Sequence, residues 1–199
     1  MTPAVYVMRN DEPVDTATFQ YLMQFVPEEK RARILRQRVK QNADNMLVGA
    51  VLAKYMLLKY FRIPFSKQHI SYGRYGKPYL RDYPNVHFNI SHSGQFVACA
   101  VSDRPIGVDI QEVVSYRRDV AKHIFSPEEL SQIESSPDRS AEFTKLWSQK
   151  EAYLKMLGIG FSDSLDRTVS FRRSKAQTAR YMDTFISIQY CVYGADYIR

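Results

Sequence analysis

The chain has 199 residues, of which 45% are apolar and 25% charged, with 28 Lys plus Arg against 21 Asp plus Glu, a formal net charge of +7. That length buries a sizeable core in one domain or two small lobes, the apolar fraction excludes an intrinsically disordered chain, and the basic surplus suits an anionic partner. The two cysteines, Cys99 and Cys191, lie in apolar runs and are expected as buried free thiols, which with the absence of four-ligand Cys/His spacing argues against a disulfide framework or structural zinc.

In chain order, Ala4 to Met8 reads as a first strand and Thr16 to Phe25 as a helix. Pro27 followed by Glu28 and Glu29 signals a helix start and opens a basic helical stretch to Lys40, in which Lys30 and Arg33 share a face. A long amphipathic helix is expected from Ala43 to Phe61, with Leu47, Ala50, Val51, Lys54 and Leu58 along one side, ended by Pro64. His69 to Tyr72 reads as a strand, and Tyr75 to Leu80 as a turn that presents Lys77 between Gly76 and Pro78. Val86 to Gly94 and Gln95 to Val101 read as a hairpin about Ser93-Gly94. After the Asp103-Arg104-Pro105 turn, Ile106 to Ile110 is a strand that carries Asp109 inside an apolar run. Short helices are expected at Ala121 to Phe125 and from Ser126-Pro127-Glu128-Glu129, where cap, proline and acids stand in helix-starting order. A loop at Ser135 to Asp138 precedes a helix spanning Phe143 to Lys155, stopped by Gly158 and Gly160. Val169 to Phe171, Thr184 to Tyr190 and Cys191 to Tyr193 read as closing strands. The N-terminus shows no basic region followed by an apolar run, and no apolar stretch approaches membrane-spanning length, so a soluble cytoplasmic protein is expected.

Two acids stand out chemically. A carboxylate in an apolar strand is costly unless a cation or donor meets it, which singles out Asp109. Glu151 and Lys155, four apart, share a helix face; as an exposed ion pair they would contribute little, and the residues alone leave that open. Asp109 and Glu151 are hard oxygen ligands suited to magnesium beside phosphate. Lys77, His92, Lys150 and Lys155 would neutralise phosphates, with Lys30 and Arg33 farther out. No Walker-type loop or dinucleotide fingerprint appears. A nucleic-acid-binding protein using the Lys30 to Lys40 stripe is a rival reading, but it leaves both acids unexplained.

Four motifs occur in order: Gly76-Lys77-Pro78, Phe88-Asn89-Ile90-Ser91-His92-Ser93-Gly94, Ile106-Gly107-Val108-Asp109-Ile110, and Phe143 through Lys155 around Trp147-Ser148-Gln149-Lys150-Glu151-Ala152. In these the chain resembles 4′-phosphopantetheinyl transferases of the surfactin-synthetase-activating type, from about Pro27 to Gly160. The resemblance implies an α+β fold of two similar lobes, 1–103 and 104–199, related by a pseudo-twofold. Each lobe would be a small antiparallel sheet packed with helices. It implies transfer of the phosphopantetheine arm of coenzyme A, bound in the inter-lobe cleft, to a serine of an apo acyl- or peptidyl-carrier protein. Adenosine 3′,5′-bisphosphate would leave. Asp109 and Glu151 would hold magnesium, or manganese in its place. Glu151 would deprotonate the serine, directly or through water, and Lys155 would meet the transferring phosphate. Ser91, His92 and Lys150 would lie along the phosphates, Gly76, Lys77 and Pro78 on the adenosine side, and Lys30 and Arg33 at the 3′-phosphate. The expected partner is an acidic carrier protein, with no nucleic acid or membrane, and the acting unit a monomer. Two positions depart from the family pattern: Gln111 stands where many relatives carry a third acid, which prompts a rival reading as a coenzyme A-binding regulatory module, and Asn45-Met46 replace Arg-Ser/Thr.

Overall fold

The computed structural model describes residues 2–159, 174–181 and 183–191. One plan occurs twice along the chain: a strand, three helices, then a hairpin. In the first half these are β1 (Ala4–Arg9), α1 (Thr16–Met23), α2 (Glu28–Leu35), α3 (Lys40–Phe61) and the hairpin β4 (His87–Ser93) with β5 (Phe96–Ser102). An added small hairpin, β2 (Ile70–Tyr72) and β3 (Pro78–Leu80), interrupts that half. In the second half they are β6 (Ile106–Glu112), α4 (Arg118–Ile124), α5 (Pro127–Ser135), α6 (Arg139–Leu157) and the hairpin β7 (Ser174–Tyr181) with β8 (Thr184–Cys191). The sheets match as well, in the orders β1-β5-β4 and β6-β8-β7, all antiparallel. The fold is α+β, with each three-stranded sheet packed against its own long helix.

The two sheets meet face to face through Ala98, Ala100, Ile106, Val108 and Ile110. The alanines keep the layers close. Beside this core, β4 runs along β6 without a backbone ladder and is joined to it by alternate side chains. Asn89 Oδ1 accepts from the Val108 amide at 3.1 Å, Ser91 Oγ donates to Asp109 at 2.9 Å, and Ser93 Oγ accepts from the Glu112 amide at 3.1 Å. Residues two apart share a strand face, so this polar alternation in an apolar strand is the inter-lobe seam.

Gly107 sets the next layer. A Cβ there would lie 1.9 Å from the Ala152 carbonyl oxygen and 2.4 Å from the Met156 nitrogen, so β6 and α6 meet backbone to backbone. That contact carries Asp109 to the helix face bearing Glu151 and Lys155.

Several boundaries differ from the sequence reading. The basic stretch breaks after Leu35, and α3 begins at Lys40, because only Ile34 of α2 is buried while Leu35 and Val39 remain exposed and Val39 is extended (φ −98°, ψ 120°). The Lys30 to Lys40 stretch of the nucleic-acid reading is therefore not one helix. Leu58, expected on the buried side of α3, is exposed. The helix instead turns Leu47 toward α1 and α2, and Leu52, Ala53, Met56 and Leu57 toward its sheet. The Lys77 turn is the loop of the β2-β3 hairpin, with Gly76 at φ +80°. β7 (Ser-Lys-Ala-Gln-Thr-Ala-Arg-Tyr) has no apolar alternation to reveal it, and among the described residues it pairs only on its β8 side. The strand expected at Val169 to Phe171 lies outside the described residues. Cys99 is a buried free thiol, as expected. No described helix is long and apolar enough to cross a membrane.

Candidate active site between the lobes

Asp109 is fully buried on β6. Its Oδ1 accepts from Lys155 Nζ at 2.5 Å and from Ser91 Oγ at 2.9 Å, and Lys155 Nζ also donates to Ser91 at 2.9 Å. The other carboxylate oxygen, Oδ2, is buried with no hydrogen-bond partner among the described residues. An unsatisfied buried carboxylate oxygen is costly and is kept only where something else meets it. Glu151 Oε2 is 4.0 Å from Lys155 Nζ, one helical turn away. Burial raises the Glu151 pKa; Lys155 opposes this and the Asp109 charge adds to it. The strand acid and the helix acid are thus electrostatic neighbours across one ammonium. Their oxygens are hard donors, and the unpartnered Oδ2 is the position a divalent cation would fill. Among the described residues no group of three or more His, Cys, Asp and Glu forms a metal cluster. Gln111 instead lines an adjoining apolar groove of about 460 Å³ with Val114, Phe143, Thr144 and Trp147.

A cleft of about 300 Å³ opens at Glu151 and Lys155, with Tyr75, Gly76, Lys77 and Pro78 as its opposite wall. Gly76, Pro78 and Ile90 also line a second cavity of about 120 Å³ that holds Lys30, Arg33 and Tyr72. The two cavities are successive chambers of one groove with cations at both ends. Burial, with the Arg33 charge behind it, lowers the Lys30 pKa to about 8. Partial desolvation, then the ammonium groups of Lys30 and Lys155, holds the His92 imidazole below its ordinary pKa. His92 itself is exposed and lines neither chamber, within electrostatic reach of both Lys30 and Lys155.

Of the residues singled out from sequence, Gly76, Lys77, Pro78, Glu151 and Lys155 line the first chamber and Lys30 and Arg33 the second. Ser91 sits behind the acids, holding Asp109 and Lys155. Lys150 is a correction. The sequence groups it with the phosphate contacts, whereas it is buried with Nζ 2.9 Å from Glu129 and lies over the Phe125 ring. One helical position is about 100° of rotation, which turns it from the Glu151 face toward α5. Lys77 lines the cleft with its stem, while its ammonium donates to the Met156 and Ile106 carbonyls. Asn89, to which sequence reasoning gives no part, lines the cleft and ties β4 to β6. Its sequence signal was the Asn89, Ser91, Ser93 alternation. Asn45, one of the two positions that depart from the family pattern, is buried and held by protein partners: Oδ1 accepts from Asn10 and Gln41, and Nδ2 donates to the Gly94 carbonyl.

Residues 12–104 match the family model described as 4′-phosphopantetheinyl transferase, N-terminal, and residues 105–198 match the one described as 4′-phosphopantetheinyl transferase superfamily. A 4′-phosphopantetheinyl transferase of Bacillus subtilis is 37% identical over 166 residues, which is 81% of this chain and 73% of that protein. The 4′-phosphopantetheinyl transferase Sfp of Bacillus subtilis (strain 168) is 35% identical over 164 residues, with the same shares. The L-aminoadipate-semialdehyde dehydrogenase-phosphopantetheinyl transferase of Saccharomyces cerevisiae is 27% identical over 172 residues, 81% of this chain and 63% of that protein.

Proposed function

The chain belongs to the 4′-phosphopantetheinyl transferase family, of the surfactin-synthetase-activating type, and from that premise we propose that it moves the phosphopantetheine arm of coenzyme A to a serine hydroxyl of an apo acyl- or peptidyl-carrier protein, with magnesium required and adenosine 3′,5′-bisphosphate released. The observation that carries this is the buried Asp109 Oδ2, unpartnered among the described residues, behind the Glu151 and Lys155 that line a groove ending in a second cationic chamber. In the reaction the serine O–H bond and the phosphoanhydride P–O bond break, and a serine O–P bond forms. The bisphosphate leaves with the bridging oxygen.

Such a transfer needs positioning and charge neutralisation more than covalent help. Asp109 and Glu151 would hold the magnesium, which when bound supplies Lewis-acid stabilisation of the phosphate oxygens. Lys155 stabilises charge on the transferring phosphate, kept in place by Ser91 and Asp109. Glu151 receives the serine proton, directly or through a water. Neutral His92 donates one hydrogen bond to the pyrophosphate. Lys30 and Arg33 bind the 3′-phosphate, and the loop wall of Gly76 and Pro78 receives the adenosine. All these groups come from one chain, which supports a monomer as the acting unit. The +7 charge would steer an acidic carrier to the cleft.

The test is incubation of an apo-carrier with coenzyme A and magnesium, read by intact mass. One added phosphopantetheine, lost in Asp109→Ala and in Glu151→Ala, is expected. Wild-type protein that leaves every carrier of a fatty-acid, polyketide and peptide-synthetase panel unmodified would overturn the assignment. Raising salt should weaken carrier association, and a flat salt dependence removes the steering argument.

A further inference from the structure

Lys77 is placed where its charge does something other than meet a nucleotide. It follows the Gly73–Gly76 loop of the first lobe, and its Nζ donates to the Met156 carbonyl at 2.5 Å and to the Ile106 carbonyl at 3.3 Å. Met156 lies in the last turn of α6, where carbonyls lack intrahelical partners and the helix carries its negative end. The turn closes with the Gly158 and Ile159 amides both on the Leu154 carbonyl, so neither serves Met156. Ile106 opens β6, three residues before Asp109. The stem of Lys77 passes over Gly158, where a Cβ would come 3.1 Å from Lys77 Cδ, and Gly158 has φ +73°. One ammonium therefore joins the cleft wall of the first lobe, the root of the strand bearing Asp109, and the end of the helix bearing Glu151 and Lys155.

We propose that Lys77 is an inter-lobe positioning residue: its ammonium pins the C-terminal turn of α6 and the start of β6 to the β2-β3 loop, and so fixes the separation of the adenosine wall from Glu151 and Lys155. This rests on the transferase reading above. It deepens that reading by moving the lysine's charge from ligand contact to scaffold and leaving only its stem on the nucleotide side. A residue acting this way governs how well bound substrate is aligned, which enters kcat, more than how tightly the nucleotide is held.

The discriminating variant is Lys77→Met, which keeps the stem and removes the donors. Expected are a fall in kcat of about tenfold or more with the KM for coenzyme A moved less than about threefold, and amide hydrogen exchange at Gly158 and Ile159 faster than in wild type. Lys77→Arg, which can still donate to both carbonyls, should recover most of both. A raised KM with kcat intact, or unchanged exchange at the end of α6, overturns the proposal. Competitive amine acylation of the wild-type protein gives a second reading independent of any variant's folding. Lys77 should resist labelling without ligand, and adenosine 3′,5′-bisphosphate should add no protection. A Lys77 that labels freely until nucleotide is added refutes the pin. Wild-type protein inactive on every carrier would remove the transferase reading, while exchange and acylation would still judge the pin.

Discussion

The two halves share a plan and differ in how they treat a buried carboxylate. In the first half, the start of α3 buries Asp44 and Asn45, and each is satisfied. Asp44 takes Lys40 Nζ at 2.6 Å and the Val14 amide at 3.2 Å, while Asn45 ties Asn10 and Gln41 to the Gly94 turn. In the second half, Asp109 keeps one oxygen without a partner among the described residues, and the Glu151 carboxyl is held up in pKa beside it. A satisfied buried network stabilises and fixes a fold, whereas an unsatisfied one sits at a cost that folding alone does not explain. That contrast, rather than the mere presence of buried charge, separates scaffold from site.

The sharpest way to break the comparison is to substitute an acid from each half. Asp109→Asn should lower transfer by about 10²–10³-fold, the order lost with one preorganised electrostatic group. Asp44→Asn should leave kcat within about twofold while lowering stability by about 1–3 kcal/mol, the cost of an impaired buried hydrogen-bond partner. Steady-state kinetics and denaturant melts of both proteins check this, and equal kinetic damage from the two would erase the distinction. Next in size is Gly107→Ala. Its methyl meets helix backbone, so β6 and α6 must part, at about 1–3 kcal/mol of stability or more. Because the displaced strand carries Asp109, activity should fall at temperatures where the variant is still folded, measured by circular dichroism alongside the transfer assay. Asn45→Ala should cost about 1–2 kcal/mol and spare the KM for coenzyme A, since its hydrogen bonds already go to protein partners; a raised KM would make it a ligand contact after all.

The smallest expected effect is a pH dependence. Burial depresses the Lys30 pKa to about 8, so its charge is full below that value and is lost as pH rises through it. Coenzyme A should bind progressively more weakly above about pH 8, while dephospho-coenzyme A, which lacks the 3′-phosphate, should not follow. Lys30→Met should flatten the difference. Titration calorimetry with both ligands from pH 7 to 9.5 measures it. Stability runs the other way: a lysine depressed on folding favours the neutral form, so its burial penalty shrinks between pH 8 and its ordinary value near 10.5.

Much of this molecule was legible from residues alone. The β4-β5 hairpin, β6 with its embedded acid, the Ser126 capping box and the Gly158 stop each follow from local rules: alternation, a costly carboxylate, a cap with Pro and Glu, a glycine at a left-handed position. The Glu151–Lys155 spacing fixed those two on one helix face. The four motifs in order pointed to the family. Chain separation hid the rest. That Asp109 meets Lys155, 46 positions away, depends on Gly107 letting two backbones close, and a lone glycine in a strand does not announce its neighbour. Lys150 and Lys77 look like their cationic neighbours in sequence. Only the rotation of α6 sends one to Glu129, and only the approach of the lobes gives the other two carbonyls. Residue type and spacing decide what a side chain can do and which way its own element points it. What it meets is decided by packing between elements far apart in the chain, because burial rewards the whole arrangement and not any one segment.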